Sequence, residues 1–349
     1  MSKLGFQDPA TALAGDRVLV TGATGFLGSS LVRRLLAGGV QVRALVRSPA
    51  KGEQLAHQGV EPVVGDIDNG DALTAALDDV AVVYHLAGKL LEPGEPDELY
   101  RRTHVDGTKL LIEACQNHPK VARLVHCSTT GVLGSTGEEP LDETAPFRPT
   151  NIYESTKTEA ETLVRGEWQD RVPAVIVRPG LVYGPGDLHL VSLFRSILHR
   201  QFRPIGRRTV WLHPIYIDDM TEALLYCGVS FAALGECFHI AGPEPVPLEG
   251  LAEAIARALG TALPRGRIPL AAAWALAMVG ESLPAQLKAS APLTRSRLEF
   301  LTHNRMYSVE KAKRLLDFVA PTDLSTGITR TVAWYRKHGY LPASVQATP

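Results

Sequence analysis

Short, nearly continuous apolar runs alternate with amphipathic stretches through the first half of the chain. The runs at residues 18–20, 42–46, 60–64, 80–86, 124–127 and 174–177 are predicted to be strands. Because they are apolar at successive positions, they are typical of strands covered on both faces of a parallel sheet. Helical patterns separate them at residues 27–36, 72–77, 99–115 and 153–168. Repeated strand–helix units predict an α/β fold of the Rossmann type, with a doubly wound parallel sheet.

The rhythm changes after Pro179, where glycine and proline become frequent and the elements shorten. Later helical patterns lie at residues 248–259, 309–316 and 327–338. We therefore predict three regions along the chain. These are an N-terminal tail (1–16), a dinucleotide-binding domain (17–180) to which parts of 210–242 return, and a smaller mixed C-terminal substrate-binding domain (181–341).

An apolar segment at residues 268–280 contains no charged side chain. It is too short to span a bilayer and has no polar face, so it predicts a helix buried in the core. Two alternatives stay open for this segment. It could form a lid over a lipophilic substrate, with Trp274 and Met278 facing the pocket, or it could contact a membrane surface peripherally.

The composition mainly excludes several classes of protein. Hydrophobic residues make up 45% and charged residues 21% of the 349 positions, which is enough apolar surface for a large core. The 36 basic and 37 acidic residues give a net charge of -1, which argues against a nucleic-acid partner. No apolar run is long enough to span a membrane. The 11 histidines lack the spacing of metal ligands, so no metal site is expected.

The four cysteines bear on the cellular compartment. They stand at positions 115, 127, 227 and 237, and no pair has C-x-x-C spacing. This indicates free thiols in a reducing compartment. Residues 1–16 contain one lysine and no apolar segment of the kind found in a secretory signal. We therefore expect a cytoplasmic protein.

Three glycines punctuate the turn from the first strand to the first helix. Gly22 permits a tight turn, Gly25 lets the backbone approach a pyrophosphate, and Gly28 allows close packing of helix on strand. The helix amino terminus then offers free N–H groups to the anion. A purely structural turn is the alternative. The candidate cofactor-binding residues of this loop are Gly22, Thr24, Gly25, Phe26, Leu27 and Gly28.

The residues after the second and third strands bear on the choice of dinucleotide. Arg47 follows the second strand, where it suits the 2′-phosphate of NADP better than the free ribose hydroxyl of NAD. Lys51 could add a second charge. The alternative is a solvated arginine that stacks on adenine whatever the phosphate. Asp66, next to Ile67, could accept a hydrogen bond from the adenine amino group, or it could simply form a turn.

Tyr153 and Lys157 lie four residues apart, so on a helix they share one face. A nearby ammonium favours the phenolate form, and a phenol with a lowered pKa can exchange a proton with an alcohol or ketone. Thr129 stands just after the strand at 124–127, where its hydroxyl could hold the substrate oxygen beside the tyrosine. We therefore predict Tyr153, Lys157 and Thr129 as catalytic residues.

These motifs together resemble the extended short-chain dehydrogenase/reductase family, the NAD-dependent epimerase/dehydratase group, over residues 18–335. Beyond the glycine loop and the catalytic residues, the resemblance rests on His-Leu-Ala-Gly at 85–88, Arg-Pro-Gly-Leu-Val-Tyr-Gly-Pro at 178–185 and Ile-Tyr-Ile-Asp-Asp-Met at 215–220. It implies that further cofactor contacts come from Leu86, Ala87, Gly88, Pro179, Gly180 and Val182, with Tyr153 and Lys157. Members of the family often dimerise through the helices predicted at 99–115 and 153–168.

The chain departs from the family pattern at three positions. His104 stands where the family often has asparagine. Leu181 and Leu212 stand where nucleotide-sugar enzymes usually have an asparagine and an arginine that bind the diphosphate, although Arg207 and Arg208 lie nearby. Since a diphosphate needs charged or polar donors, these leucines favour a lipophilic alcohol or ketone.

Within the family the chain most resembles the 3-beta-hydroxysteroid dehydrogenase and dihydroflavonol reductase branch, through Arg-Pro-Gly at 178–180 and the stretch at 292–305. The resemblance implies hydride transfer between NADP or NAD and a steroid-like or flavonoid-like substrate. Candidate substrate contacts are Thr130, Leu181, Tyr183, Trp211 and Trp274. A nucleotide-sugar epimerase or dehydratase with tightly bound NAD is the alternative, and a non-catalytic dinucleotide-binding protein is a further one.

Overall fold

The computed structural model describes residues 8–92, 94–167, 172–282 and 295–343. Its strands are β1 (Arg17–Thr21), β2 (Gln41–Val46), β3 (Glu61–Val64), β4 (Val82–His85), β5 (Arg123–Cys127), β6 (Ala174–Pro179), β7 (Leu181–Tyr183), β8 (Trp211–Leu212), β9 (Pro214–Tyr216), β10 (Cys237–Ile240) and β11 (Val246–Pro247). Short 3-10 turns lie at Thr11–Leu13, Thr130–Leu133 and Phe231–Ala233.

The helices follow the same chain order. They are α1 (Phe26–Ala37), α2 (Pro49–Ala56), α3 (Gly70–Leu77), α4 (Asp97–Arg101), α5 (Gly107–Gln116), α6 (Ile152–Glu167), α7 (Val191–Leu198), α8 (Ile217–Val229), α9 (Leu248–Leu259), α10 (Leu270–Ser282), α11 (Arg295–Thr302), α12 (Glu310–Leu316) and α13 (Leu324–Lys337). A π-helical segment, Arg102–Asp106, joins α4 to α5, so the helix predicted at 99–115 is continuous but locally widened. Residue 168 of the helix predicted at 153–168 lies outside the described residues.

Seven parallel strands form the central sheet, in the order β10-β6-β5-β4-β1-β2-β3. The chain moves outward from β1 in one direction and then, from β4, in the other, which is the doubly wound arrangement predicted from the sequence. The predicted fold class is thus confirmed. Thr21 at the end of β1 pairs with both Leu45 and His85, so the strands end together at one edge. This carboxyl edge is where ligands bind in open α/β sheets.

The continuous apolar strands are explained by layers on both faces of the sheet. Val18 and Val20 of β1 belong to the core that includes Leu31 of α1, whereas Leu19 belongs to the opposite core with Leu111 of α5. Because side chains alternate along a strand, both parities must be apolar when both faces are covered.

The residues after 180 build a second core beside the carboxyl edge. Helices α7, α9 and α13 meet there around Phe194, Ile255 and Tyr335, with the Phe194 and Tyr335 rings edge-on at 5.0 Å. Strand β10, which comes from the same half of the chain, joins the main sheet next to β6. The division of the chain at residue 180 stays a prediction.

Helix α10 contradicts the expectation of a buried core helix at 268–280. Among the side chains of α10 that the structure describes, residues 270–278, only Ala273 and Ala277 are buried, against a small cluster with Ile205 and Leu298. Its larger apolar side chains are exposed instead: Leu270, Trp274, Leu276 and Met278. The contact made by two alanines is too narrow to bury the rest of the helix. Within the described ranges no helix is long and apolar enough to cross a membrane.

Candidate active site

A cleft of about 660 Å³ opens at the carboxyl edge of the sheet, between the glycine loop and the residues after 180. The predicted site residues that line it are Gly22, Gly25, Phe26, Leu27, Gly28, Leu86, Gly88, Thr129, Thr130, Tyr153, Lys157, Pro179, Gly180, Leu181 and Val182. Strand ends and helix starts thus bring segments more than 150 residues apart in sequence into one wall. The cleft is the candidate active site.

Tyr153 and Thr129 meet inside this cleft. Tyr153 lies in the first turn of α6, and its contact with the Thr129 hydroxyl lowers the pKa of the phenol. Thr129 Oγ1 also accepts a hydrogen bond of 3.0 Å from the backbone N–H of Gly131, which fixes its rotamer. The two hydroxyl groups therefore face one point, where a substrate oxygen can take their hydrogen bonds.

The protonation state of this site differs from the sequence-based expectation. Burial raises the pKa of the Tyr153 phenol and the nearby Cys127 adds to the rise, while the Thr129 hydrogen bond lowers it. Lys157 does not supply the expected lowering, because its ammonium donates instead to the Cys127 carbonyl at 3.0 Å. Burial lowers the pKa of Lys157 itself. The phenol is thus protonated at neutral pH, the form that donates a proton to a ketone oxygen.

His104 lies in the π-helical segment and packs its ring edge-on against Tyr153, with centroids 5.6 Å apart. Its Nε2 accepts a hydrogen bond of 3.0 Å from the backbone N–H of Lys89. Its Nδ1 lies 2.8 Å from Thr156 Oγ1, whose hydroxyl donates to the Ile152 carbonyl, so Nδ1 carries the proton. Burial and the Lys157 charge lower the pKa of His104 to about 2. His104 is therefore a neutral, fixed side chain that holds α6 against the loop after β4.

The glycine loop fits a dinucleotide phosphate. Gly22 adopts a φ of +72°, and a Cβ there would lie 2.6 Å from the Leu86 carbonyl oxygen. A Cβ on Gly28 would lie 2.1 Å from the Gly22 carbonyl oxygen, so only glycine allows α1 to begin this close to the loop. Gly25 caps α1 without a side-chain hydrogen bond, and the first turn carries no acidic residue. The free N–H groups of this turn face the cleft and suit an anion.

Five predicted cofactor residues lie outside the lining of the cleft, near the same sheet edge: Thr24, Arg47, Asp66, Ile67 and Ala87. Arg47 is exposed directly after β2. Asp66 Oδ1 accepts a hydrogen bond of 2.8 Å from the Ile67 N–H, and Ile67 is buried. Arg47 follows the end of β2, and Asp66 and Ile67 follow the end of β3. The proposed contacts of these three residues would be with the adenosine half of a dinucleotide.

Two leucines stand at the predicted diphosphate positions of the cleft. Leu181 and Leu212 both line it, whereas Arg207 and Arg208 are exposed and lie outside its lining. Neither arginine therefore replaces the missing diphosphate donors. The Thr130 hydroxyl donates to the Pro179 carbonyl at 2.9 Å, which ties two walls of the cleft together.

Three predicted substrate contacts do not line the cleft. Tyr183 is buried in the second core, where its ring packs edge-on against Tyr216 at 5.8 Å. Trp211 points outward because strand neighbours alternate and the next residue, Leu212, points inward. Trp274 is exposed on α10, outside the cleft, and so is Met278, so α10 forms no lid in this structure.

Several polar residues of the cleft wall were not predicted from the sequence, and three of them lie close together. Glu154 is buried next to the catalytic candidate Tyr153, and its Oε2 accepts two hydrogen bonds of 2.8 Å from Thr150. Arg305 and Tyr307 line the same wall. Spacing rules could not reveal a site that joins positions 154 and 305. In the part of the chain that the structure describes, no group of three His, Cys, Asp or Glu side chains is placed to hold a metal ion.

Comparison with known proteins agrees with this site. The sequence model described as the NAD dependent epimerase/dehydratase family matches residues 18–257. The chain is similar to the 2-alkyl-3-oxoalkanoate reductase of Stenotrophomonas maltophilia, at 30% identity over 91% of this chain and 98% of the relative. It is also similar to the 3 beta-hydroxysteroid dehydrogenase/Delta 5-->4-isomerase of Mycobacterium tuberculosis, at 28% identity over 91% and 90%. The crystal structure of gox2253 matches with a TM-score of 0.78 and 28% identity, over 93% of this chain and 99% of that chain. The resemblance predicted from the motifs is confirmed.

Proposed function

Because the chain belongs to the NAD dependent epimerase/dehydratase family, we propose that it is an NAD(P)-dependent oxidoreductase of the extended short-chain dehydrogenase/reductase type. Its reaction would interconvert a secondary alcohol and a ketone on a bulky lipophilic, steroid-like or flavonoid-like substrate. One observation carries this proposal. Tyr153, Thr129 and Lys157 line one cleft at the carboxyl edge of the sheet, together with the glycine loop.

The residues of the site divide the chemistry between them. When bound, the nicotinamide supplies or accepts the hydride. Tyr153, protonated because burial raises its pKa, donates its proton to the ketone oxygen in the reductive direction. Thr129 orients that oxygen by a second hydrogen bond. Lys157 lies beside Gly88, where the resemblance implies a contact with the cofactor ribose.

The lipophilic character of the substrate is supported by the wall opposite the catalytic residues. Leu181 and Leu212 occupy positions that carry polar diphosphate ligands in nucleotide-sugar enzymes, and both face the cleft. The names of the two relatives, an oxoalkanoate reductase and a hydroxysteroid dehydrogenase, agree with this wall. The name of the oxoalkanoate reductase describes the reduction of a ketone, and we propose the same type of reaction for this chain.

The cofactor is a nicotinamide dinucleotide, as the family's description states. We propose a preference for NADP over NAD, supported by the exposed positions of Arg47 and Lys51 after β2. Neither side chain has an acidic partner in the described hydrogen bonds and ion pairs, so both charges are available to a 2′-phosphate.

We also propose a reducing compartment such as the cytoplasm, a homodimer, and a peripheral contact with membranes. The four cysteines, all described, are free thiols, which supports the first. The family resemblance supports a dimer through α5 and α6. The exposed apolar side chains of α10 support the third.

The decisive experiment follows NAD(P)H absorbance with a panel of ketones, sterols and nucleotide sugars. We expect turnover of lipophilic ketones by protein purified without nucleotide. Tyr153→Phe should lose more than about 1,000-fold of the rate while it still binds the dinucleotide. Tyr226→Phe removes a phenol on α8, outside the cleft lining, and serves as the matched control.

Two other outcomes would favour the alternatives. Protein that retains a nicotinamide dinucleotide until it is denatured, and that converts nucleotide sugars, would point to an epimerase or dehydratase. Dinucleotide binding with no turnover of any panel member, unchanged by Tyr153→Phe, would point to a non-catalytic binder. Full activity of Tyr153→Phe would remove Tyr153 from the reaction.

A further inference from the structure

The segment around Arg305 is fixed from both sides. Asn304 Oδ1 accepts from the Trp211 N–H at 3.0 Å, and the Arg305 N–H donates to the Trp211 carbonyl at 2.7 Å. On the other side, the Thr136 N–H donates to the Asn304 carbonyl at 2.8 Å. The following residue continues this pattern, since the Leu141 N–H donates to the Met306 carbonyl at 3.1 Å. Arg305 thus enters the cleft from a rigid backbone and not from a mobile loop.

The Arg305 guanidinium is largely buried, and the protein provides few hydrogen-bond acceptors for its N–H groups. Only 16% of its side chain is exposed, and its Nε is buried without a hydrogen-bond partner among the described residues. The nearest carboxylate oxygen in the described ion pairs is Glu154 Oε1, 3.6 Å from Nη1, which is too long for a hydrogen bond. One face of the guanidinium lies over the Phe300 ring, 5.7 Å from its centroid. Enclosed donors without acceptors destabilise the protein unless a ligand satisfies them.

Hydrogen bonds hold the Glu154 carboxylate at its distance of 3.6 Å from Arg305 Nη1. Its Oε2 is held by the N–H and hydroxyl of Thr150, and its own N–H donates to Asn151 Oδ1 at 3.0 Å. The carboxylate is therefore locked at the start of α6. It offsets part of the Arg305 charge but leaves most of the guanidinium N–H groups for something else in the cleft.

A second polar group of the cleft wall, the Tyr307 hydroxyl, lies beside Arg305. Tyr307 is buried and lines the cleft, and its hydroxyl makes no hydrogen bond of ordinary geometry with the described residues. Burial raises the pKa of this phenol, and the Arg305 charge, together with contacts of the hydroxyl with Thr130 and Arg305, partly offsets the rise. The hydroxyl is thus a neutral donor next to a cationic one. Together they form a pair of donors that suits an oxygen anion.

This pair of donors lies close to the reacting centre. A Cβ placed on Gly131 would lie 3.1 Å from Glu154 Oε1 and 3.3 Å from Thr129 Oγ1. Glu154 therefore touches the same small volume as the hydroxyl that we propose orients the ketone. Arg305 Nη1 lies 3.6 Å from the same Glu154 oxygen.

We propose that Arg305 and Tyr307 form a subsite for a carboxylate on the substrate, so that the substrate is a lipophilic oxo acid or hydroxy acid. The inference rests on the proposed function and adds the acidic group to it. A planar guanidinium binds a carboxylate through two parallel hydrogen bonds. One arginine beside a buried glutamate fits a single negative charge, whereas the diphosphate of a nucleotide sugar would bring more charge than this wall balances.

The test compares two alcohols that differ only in the acid. A long-chain 3-hydroxy acid and the secondary alcohol in which hydrogen replaces its carboxyl group are oxidised with NAD(P) by wild type and Arg305→Gln. We expect KM for the acid to rise about 10- to 100-fold in the variant, with kcat within about twofold. KM for the neutral alcohol should stay unchanged. Arg305→Lys should give a KM for the acid between those of wild type and Arg305→Gln, because lysine keeps the positive charge but cannot donate two parallel hydrogen bonds to a carboxylate.

Two further variants keep the result interpretable. Arg314→Gln removes an exposed arginine on α12 and should change neither KM. Tyr307→Phe removes one donor with little loss of volume and should raise KM for the acid only, so the subsite can be judged even if Arg305→Gln is unstable. A rise in KM that is equal for acid and alcohol, or absent for both, would overturn the proposal.

A third arm separates the acid from a diphosphate. Uridine diphosphate is tested as an inhibitor of wild type and Arg305→Gln. Inhibition that weakens in the variant, with KM for the acid unchanged, would assign the subsite to a diphosphate and overturn the carboxylate. If wild type oxidises neither alcohol, the proposed function fails. The subsite is then judged by whether the acid still raises the unfolding temperature of wild type but not of Arg305→Gln.

Discussion

The Lys157 ammonium donates a hydrogen bond to the backbone carbonyl of Cys127 at 3.0 Å. This contact joins α6 to the last residue of β5, immediately before Ser128 and Thr129. The ammonium is buried, so the carbonyl dipole is its main compensation in the absence of a carboxylate partner. The lysine is thus held in place by the sheet, one helical turn from Tyr153.

Replacing this lysine should therefore damage the reaction more than the fold. We expect Lys157→Met to lower kcat/KM at least about 100-fold, because it removes the proposed ribose contact and the hydrogen bond that ties α6 to the end of β5 next to Thr129. Stopped-flow or steady-state kinetics with a lipophilic ketone measure the loss, and fluorescence titration measures cofactor affinity. Activity within about threefold of wild type would show that the ammonium has no catalytic role.

The pH dependence of ketone reduction follows from the state of Tyr153. Burial and Cys127 raise the pKa of the phenol above its ordinary value of 10.0. A group with a raised pKa stays protonated up to that pKa, so the proton donor is fully present at neutral and mildly alkaline pH. We expect the reduction rate at saturating substrate to stay flat from about pH 6 to about pH 9. A loss of rate centred near pH 7 would contradict a buried, protonated phenol.

The buried ion pair between Glu161 and Arg178 should be a main determinant of stability. Arg178 Nη2 and Nε donate to the two Glu161 carboxylate oxygens at 2.7 and 3.0 Å, and both side chains are fully buried. The pair links α6, which carries Tyr153, to the end of β6 at the cleft. We expect Arg178→Met to lower the free energy of unfolding by about 3 kcal/mol, because the buried Glu161 carboxylate then keeps only Arg165 and Ser128 as partners among the described residues. Urea unfolding at neutral pH measures this loss.

The same pair predicts how stability changes in acid. Burial alone would raise the pKa of Glu161, but the hydrogen bonds and charge of Arg178 outweigh it and hold the pKa below its ordinary value of 4.5. A carboxyl with a lowered pKa stabilises the fold fully above pH 4.5, and this contribution is lost as the pH falls through the lower value in the folded state. Arg178→Met should therefore lose less stability than wild type between pH 7 and pH 4. An identical pH dependence in both proteins would argue against this coupling.

The sheet could be read from the sequence because each of its central strands is apolar on both faces. The π-helical segment could not, and β10 was predicted only in so far as parts of 210–242 were expected to return to the dinucleotide-binding domain. Strand β10 has only four residues, one of them the buried His239, and its pairing with β6 joins positions about 60 residues apart. Its place in the sheet depends on tertiary pairing, which local patterns do not encode.

The residues of the candidate site also fall into those that the local sequence predicts and those that it does not. The glycine loop and the Tyr153–Lys157 pair were predictable because their geometry is local to one turn and one helix. Arg305 and Glu154 were not, because their proximity depends on how the residues after 180 pack over the sheet edge. Trp274 failed as a substrate contact for the related reason that apolar character does not tell a core face from an exposed one.

Arg47 decides the proposed preference for NADP. We expect Arg47→Asp to raise the dissociation constant for NADP relative to that for NAD by about 10- to 100-fold, since an attractive charge at the 2′-phosphate becomes repulsive. Titration of both nucleotides into wild type and variant gives the ratio. Arg257→Asp, which makes the same charge change at an exposed position on α9, is the control. An unchanged ratio in Arg47→Asp would exclude this arginine as the determinant.

Helix α10 presents an exposed apolar surface made by Leu270, Trp274, Leu276 and Met278, and no charged residue interrupts it. Its amino-terminal end adjoins a basic rim, because Ile268 bridges to Ile205 and the N–H of Gly206 donates to the Ile268 carbonyl at 2.8 Å. The exposed arginines of this rim are Arg203, Arg207, Arg208, Arg265 and Arg267, of which Arg267 pairs with Glu249. Apolar side chains beside unpaired arginines are complementary to an anionic lipid surface.

We therefore expect this protein to bind vesicles of phosphatidylcholine and phosphatidylglycerol in equal parts, and to bind pure phosphatidylcholine vesicles at least about tenfold more weakly. Trp274→Ser combined with Leu276→Ser should weaken binding to the anionic vesicles about tenfold, and 0.5 M salt should weaken it further, since each arginine contributes about 1 kcal/mol near such a surface. Phe231→Ser removes an exposed aromatic ring far from α10 in sequence and is the control. Vesicle sedimentation gives the affinities. If the double variant binds as wild type does, or if it only changes the oligomeric state, α10 contacts something other than a membrane.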